Sequence, residues 1–151
     1  LPIYGILIRD LAFGHLEFDW KKLIAVTFLP PPQPPRAYDD FESPRLLRGT
    51  VYTKSGQRFR GQIVYDLDEI YDAEFLNGKN NDFEYYIPFA KIERIEPQND
   101  KFSMVYLRDG AQFLLGDNPD VNGDNHGLVL KLSGDRAEYI EWQDIKQIDF
   151  E

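Results

Sequence analysis

The chain has 151 residues, a formal net charge of −9 at pH 7 and no cysteine, which excludes disulfides, thiol catalysis and thiolate metal sites. The negative charge repels polyanions on average, so we expect neither a nucleic-acid partner nor binding to an anionic membrane surface. No run of roughly 18 apolar residues is present that would span a membrane, and the aromatic content of 15% favours strands.

The first pattern in chain order is a repeat. Residues 5–28 (GILIRDLAFGHLEFDWKKLIAVTF) align without a gap with residues 127–150 (GLVLKLSGDRAEYIEWQDIKQIDF). A third copy between them, YYIPFAKIERIEP, has Phe89 where the others have Trp20 and Trp142. Self-similarity of this kind indicates a repeated structural unit. We predict that the three aromatic residues are core anchors; the alternative is that they are stacking platforms for sugars or peptides.

The N-terminal copy is incomplete. Residues 1–28 are predicted to supply only the last three strands of a five-stranded unit, so two preceding strands either lie upstream of Leu1 or are borrowed from elsewhere. Three strands leave edges unpaired and bury too little apolar surface to be stable alone. We therefore predict that this segment packs against a neighbouring unit of its own chain or against a second molecule. The second option would make the protein a homodimer.

Residues 29–46 begin with LPPPQPP. Successive prolines cannot enter a sheet interior and favour an extended polyproline II conformation. We predict a stiff linker, with a ligand for an SH3-like groove as the alternative.

Two complete units follow, at residues 47–98 and 99–151. Each opens with a hairpin signal, since VYTKSGQRF and VYLRDGAQF both place a glycine between alternating strands. Five strands are predicted in each unit: near 49–54, 57–65, 68–76, 83–89 and 92–96, and near 102–107, 111–116, 127–132, 136–142 and 145–150. This order of strands resembles that of SH3-like (Sm-like) small barrels. We predict an all-β protein of tandem five-stranded SH3-like barrels with a partial N-terminal copy.

Charges are segregated in the first complete unit. Residues 45–61 contain five basic residues and no acid, whereas residues 66–74 contain five acids and no base. These runs indicate either solvated strand faces or a complementary contact between units or chains. The candidate interaction residues are Arg45, Arg48, Arg58, Arg60, Asp66, Asp68 and Glu69.

The loop at residues 117–127, DNPDVNGDNHG, concentrates oxygen ligands around a glycine, as Ca²⁺ binding requires. The candidate metal ligands are Asp117, Asp120, Asn122 and Asp124. When Gly123 is aligned with the EF-hand glycine, Val129 falls where the bidentate glutamate belongs, so the loop is not an EF-hand. A looser calcium loop and a purely structural polar loop both remain open.

Catalysis has little support in the sequence. The two histidines, His15 and His126, lie outside any nucleophile, zincin or phosphate-loop motif. We therefore expect no enzymatic activity and assign no catalytic residue.

The segments LRGTVYTKSGQRFRGQIVYDLDE, YYIPFAKIERIEP, DVNGDNHGLVL and YIEWQDIKQIDF, within residues 47–150, together resemble bacterial exported proteins of unknown function that carry tandem copies of such a unit. The resemblance implies an extracytoplasmic location, periplasmic or secreted, and no activity. We expect a non-enzymatic binding or scaffold module with a protein partner. The alternative is a calcium-dependent or glycan-binding surface domain.

Overall fold

The computed structural model describes residues 5–30 and 43–151, so most of the predicted linker at 29–46 lies outside the described residues. The described part is all-β, and none of its helices is long and apolar enough to cross a membrane. Its strands are β1 (Gly5–Asp10), β2 (Gly14–Asp19), β3 (Arg48–Thr53), β4 (Arg58–Tyr65), β5 (Phe75–Asn80), β6 (Phe83–Pro88), β7 (Ile92–Pro97), β8 (Phe102–Leu107), β9 (Gln112–Gly116), β10 (Leu128–Lys131), β11 (Ala137–Ile140) and β12 (Ile145–Phe150).

These strands form a single antiparallel sheet of twelve strands, in the order β1-β2-β6-β5-β9-β8-β7-β12-β3-β4-β10-β11. Each complete repeat contributes two parts, which we call its leading hairpin and its trailing triplet. The leading hairpins are β3–β4 and β8–β9. The trailing triplets are β5–β6–β7 and β10–β11–β12.

The two repeats exchange their leading hairpins. The hairpin β8–β9 of the second repeat lies between β5 and β7 of the first. The hairpin β3–β4 of the first repeat lies between β10 and β12 of the second. Strand β7 then pairs with β12 and joins the two halves. Matching register irregularities, between Ile92 and Arg94 and between Ile145 and Gln147, show that the two halves are built alike.

The turns that open both hairpins follow from their glycines. Gly56 and Gly110 have φ of +87° and +91°, a left-handed conformation that costs glycine little. With the turns fixed, inward residues such as Val51 and Val105 reach equivalent, fully buried positions. The hairpin prediction is confirmed at both sites.

One hydrophobic core joins the repeats. Tyr65 on β4 packs against Phe89, Trp142 and Phe150, with ring centroids 5.1, 6.0 and 6.4 Å apart. Phe89 and Trp142 are buried, at 1% and 6% exposure, so their prediction as core anchors is confirmed. The same prediction is wrong for Trp20, which is 52% exposed.

The predicted tandem barrels at 47–98 and 99–151 are not confirmed as separate closed units, because the sheet does not divide at residue 98. The third strand of the first unit also differs from its predicted position at 68–76, since β5 begins at Phe75. Asp66 and Leu67 have positive φ, 46° and 69°, and turn the chain directly after β4. The following residues are therefore used in a turn and in isolated bridges before β5 begins.

At the N-terminus, two of the three predicted strands form. Strand β2 pairs with β6 of the first complete repeat, so the segment does pack on its own chain. The turn between β1 and β2 places Phe13 against Tyr85 and Phe113, with ring centroids 5.7 Å apart in both pairs. Residues 23–28, the equivalent of β12, do not form a strand.

The burial of the anchors gives a test of the fold. Phe89→Ala or Trp142→Ala should lower the free energy of unfolding by about 3–5 kcal/mol, because each leaves a large cavity in the shared core. Trp20→Ala is the matched control and should cost less than about 1 kcal/mol, since half of that side chain is already in water. Urea unfolding followed by circular dichroism measures both, and equal costs at the three positions would contradict this description of the core.

Candidate interaction site

The outer face of β3, β4 and β10 carries a basic groove. In β4, even-numbered residues point outward and odd-numbered ones inward, so Arg58 and Arg60 share the solvent face. Arg48 and Lys131 both lie opposite Gln62 in the ladder, from β3 and from β10, and therefore share that face. Arg136 closes the groove from the loop after β10. The groove has a volume of about 730 Å³ and is lined by Arg48, Arg58, Phe59, Arg60, Gly61, Gln62, Lys131, Leu132, Ser133 and Arg136.

One carboxylate lies at the rim of this groove. Arg60 Nε donates to Glu151 Oε1 at 2.7 Å, and Arg48 Nε lies 3.7 Å from Glu151 Oε2. The guanidinium of Arg58 instead lies over the ring of Tyr52, 5.8 Å from its centroid. The side chains of Arg48 and Arg60 are 60% and 68% exposed, so they can contact further anions. The groove therefore already holds one carboxylate and presents Arg58, Lys131 and Arg136 beside it.

The two charge runs seen in the sequence do not meet as a complementary pair. Arg45 is the exception, since its Nε donates to Asp72 Oδ2 at 2.9 Å. Asp66, Asp68 and Glu69 lie beyond the end of β4, where Asp66 accepts hydrogen bonds from the backbone and ring nitrogens of His126. The structure thus groups Arg48, Arg58 and Arg60, but it does not bring them to the acidic run.

Sequence reasoning missed Lys131 and Arg136, which lie more than seventy residues beyond Arg58 and Arg60 in the chain. The exchange of leading hairpins brings them together, because it pairs β4 with β10. The local signal was weak, since single basic residues on strand ends are common on solvated surfaces.

A second group of side chains lies where β4 ends and the 117–127 loop passes. Asp120 is 7% exposed; its Oδ2 accepts from the backbone nitrogen of Asn77 at 2.6 Å, and its carbonyl oxygen accepts from the Tyr65 hydroxyl. Burial raises the pKa of Asp120 to about 6, although the hydrogen bond from Asn77 opposes this.

The pKa of Glu69 is raised further, to about 9, mainly by burial and then by its acidic neighbours Asp68 and Asp120. Within the described part of the chain, Glu69 Oε2 is buried without a hydrogen-bond partner. An ionised carboxylate in that position is costly, so the neutral form is favoured.

The 117–127 loop is held together by its own hydrogen bonds. Asn118 Oδ1 accepts from the backbone of Asp120 at 3.0 Å, and Asn122 Oδ1 accepts from the backbone of Asp124 at 2.8 Å. Asp117 has φ of +52° at the start of the loop. Among residues 5–30 and 43–151, no three His, Asp or Glu side chains are grouped to hold a metal ion. Calcium binding by Asp117, Asp120, Asn122 and Asp124 stays a prediction, with the loop geometry accounted for by structural roles.

No protein-family model matches the chain, and no curated protein or solved structure is significantly similar to it. The resemblance to bacterial exported proteins therefore remains an expectation from the sequence.

The raised carboxylate pKa values predict how stability depends on pH. A carboxyl group whose pKa is higher in the folded protein than in the unfolded chain stabilises the fold while protonated. For Glu69 this contribution is complete below its ordinary pKa of 4.5 and is lost as pH rises toward about 9; for Asp120 it is lost between 3.8 and about 6. Glu69→Gln should make the free energy of unfolding less dependent on pH between 4.5 and about 9. At pH 9 the variant should have a higher free energy of unfolding than the wild type.

Urea titrations at several pH values measure this effect. Glu138→Gln, at an exposed position of β11, is the control and should leave the pH dependence unchanged. An unchanged pH profile in Glu69→Gln would show that Glu69 is not held neutral by its surroundings.

Proposed function

We propose that the chain is a non-enzymatic binding or scaffold module that takes an acidic segment of a protein partner into the basic groove. One observation carries this proposal: four arginines and a lysine line one open groove, and no acidic residue of the described part of the chain lines it, although Glu151 pairs with Arg48 and Arg60 at its rim. Guanidinium groups hold carboxylates through short, charge-assisted hydrogen bonds, as Arg60 does with Glu151.

The charge of the whole chain supports a local rather than a general attraction. The net charge is −9, so the rest of the chain carries an excess of acidic groups over basic ones. A long polyanion such as nucleic acid would experience that repulsion along its length, whereas a short acidic segment can enter the groove alone. We therefore favour a protein partner.

The architecture that we propose for the module is SH3-like at the level of each half of the sheet. Each half has five strands and a 3₁₀ turn before the last strand of its trailing triplet, at Phe89–Lys91 and at Trp142–Asp144. Strand exchange then assembles each SH3-like unit from both repeats. An extracytoplasmic bacterial location is likewise a proposal, based on the resemblance of the sequence.

The groove can be tested with a decaglutamate peptide as the probe. We expect saturable binding by calorimetry that weakens between about 50 and 500 mM salt, because exposed charges are screened. The double variant Arg58→Glu with Arg136→Glu should weaken binding at least about tenfold, since it replaces attraction with repulsion.

Lys101→Glu with Lys79→Glu is the matched control, because both lysines are exposed outside the groove and the change in net charge is the same. Equal losses in the two double variants would mean that only the overall charge matters and would refute the site. Tighter binding of a single-stranded oligothymidylate than of the peptide would refute the proposed class of partner.

A further inference from the structure

Residues 1–151 contain more copies of the trailing triplet than of the leading hairpin. The sequence has three copies of the trailing triplet, at residues 5–28, 75–97 and 128–150, but two leading hairpins, β3–β4 and β8–β9. In each complete half of the sheet, one hairpin lies between the first and the third strand of a triplet. Two triplets are therefore filled, and one is left without a hairpin.

The unfilled triplet is the N-terminal one. Within residues 5–30 and 43–151, β1 pairs with β2 alone, so its outer edge has no strand partner. The equivalent strands β5 and β10 use that edge to pair with β9 and β4. The third member of the triplet, residues 23–28, has not become a strand.

The same segment leaves large apolar side chains in water. Ile24, Phe28 and Leu29 are 103%, 91% and 80% exposed, and Val26 is 45% exposed. In β12, Ile148 is equivalent to Val26 and Phe150 is equivalent to Phe28, and both are buried. Contiguous exposed apolar residues mark an interaction surface.

The repeat alignment also says which of these side chains should become buried. Val26 corresponds to Ile148 and Ile95, both fully buried, whereas Ile24 corresponds to Lys146 and Glu93, both exposed. Trp20, half exposed, corresponds to the buried Trp142 and Phe89. A complete N-terminal unit would therefore bury Trp20, Val26 and Phe28 and leave Ile24 in solvent.

We propose that the N-terminal triplet is an acceptor site for a leading hairpin of the same repeat type that lies outside residues 1–151. The guest hairpin pairs one strand with the outer edge of β1 and the other with residues 23–28, which become a strand on binding. Main-chain hydrogen bonds to an exposed sheet edge supply affinity, and alternate apolar side chains supply specificity, as in strand addition generally. This surface is separate from the basic groove.

A second copy of residues 1–151 does not satisfy the site. Each copy has the same three triplets and two hairpins, and both hairpins are already paired on both sides, β3 with β12 and β8 with β7. A dimer would therefore contain two triplets without a hairpin, where a monomer contains one. The occupant is therefore a hairpin from outside residues 1–151, with the pattern shared by VYTKSGQRF and VYLRDGAQF.

A synthetic peptide of residues 101–117, which contains the β8–β9 hairpin, serves as the probe for the full chain. We expect saturable one-to-one binding by calorimetry, together with a blue shift of tryptophan emission as Trp20 leaves water. Val26→Asp should weaken binding at least about tenfold, because it would bury an unpaired carboxylate. Ile24→Asp should bind like wild type, although Ile24 is the more exposed of the two side chains.

This pair of variants separates register-specific pairing from general apolar adhesion, which Ile24→Asp would weaken more. Ile24 and Val26 are both exposed, so we expect both variants to fold, and circular dichroism is the check. The proposal is overturned by an absence of saturable binding up to about 1 mM peptide, the weak limit of specific association, or by equal effects of the two variants. It is also overturned if ultracentrifugation shows self-association that depends on Val26 and that the peptide does not reverse.

Discussion

Each leading hairpin pairs with the trailing triplet of the other repeat, and this pairing organises both the core and the surface of the sheet. A triplet by itself has a gap between its first and third strands, and its inward side chains face that gap. The hairpin fills it with residues such as Val51 or Val105, both fully buried. Because each repeat donates its hairpin to the other, each triplet is completed by strands of the other repeat. The pairing of β7 with β12 then joins both halves in one sheet.

The exchange also determines where charges meet. Strand β4 comes from the first repeat and β10 from the second, and their pairing assembles the basic groove from two distant stretches of sequence. The acidic run that follows β4 turns away at Asp66 and Leu67, so it does not neutralise these arginines. The outcome is a basic surface on a chain whose net charge is strongly negative, and the proposed binding of acidic segments rests on this contrast.

Carboxylates near the end of β4 have a different role. Asp120 ties the 117–127 loop to β5 through Asn77 and to β4 through Tyr65, so the loop is part of the scaffold. Burial of Asp120 and of Glu69 raises both pKa values, which makes this corner of the fold sensitive to pH. The asparagine side chains of the loop, Asn118, Asn122 and Asn125, accept hydrogen bonds from backbone nitrogens of the loop itself.

The repeated unit, the turns at Gly56 and Gly110 and the buried anchors Phe89 and Trp142 could be predicted from the sequence, because they depend on local periodicity and on φ preferences. Which hairpin fills which triplet could not be predicted in this way, because it depends on pairing between distant strands. The repeats share the same inward apolar positions, so the pattern fits an exchanged and an unexchanged pairing equally well. The position of Arg58 beside Arg136 in one groove follows from that choice, because the exchange pairs β4 with β10. Trp20 is exposed for another reason, since no hairpin among the described residues completes its triplet.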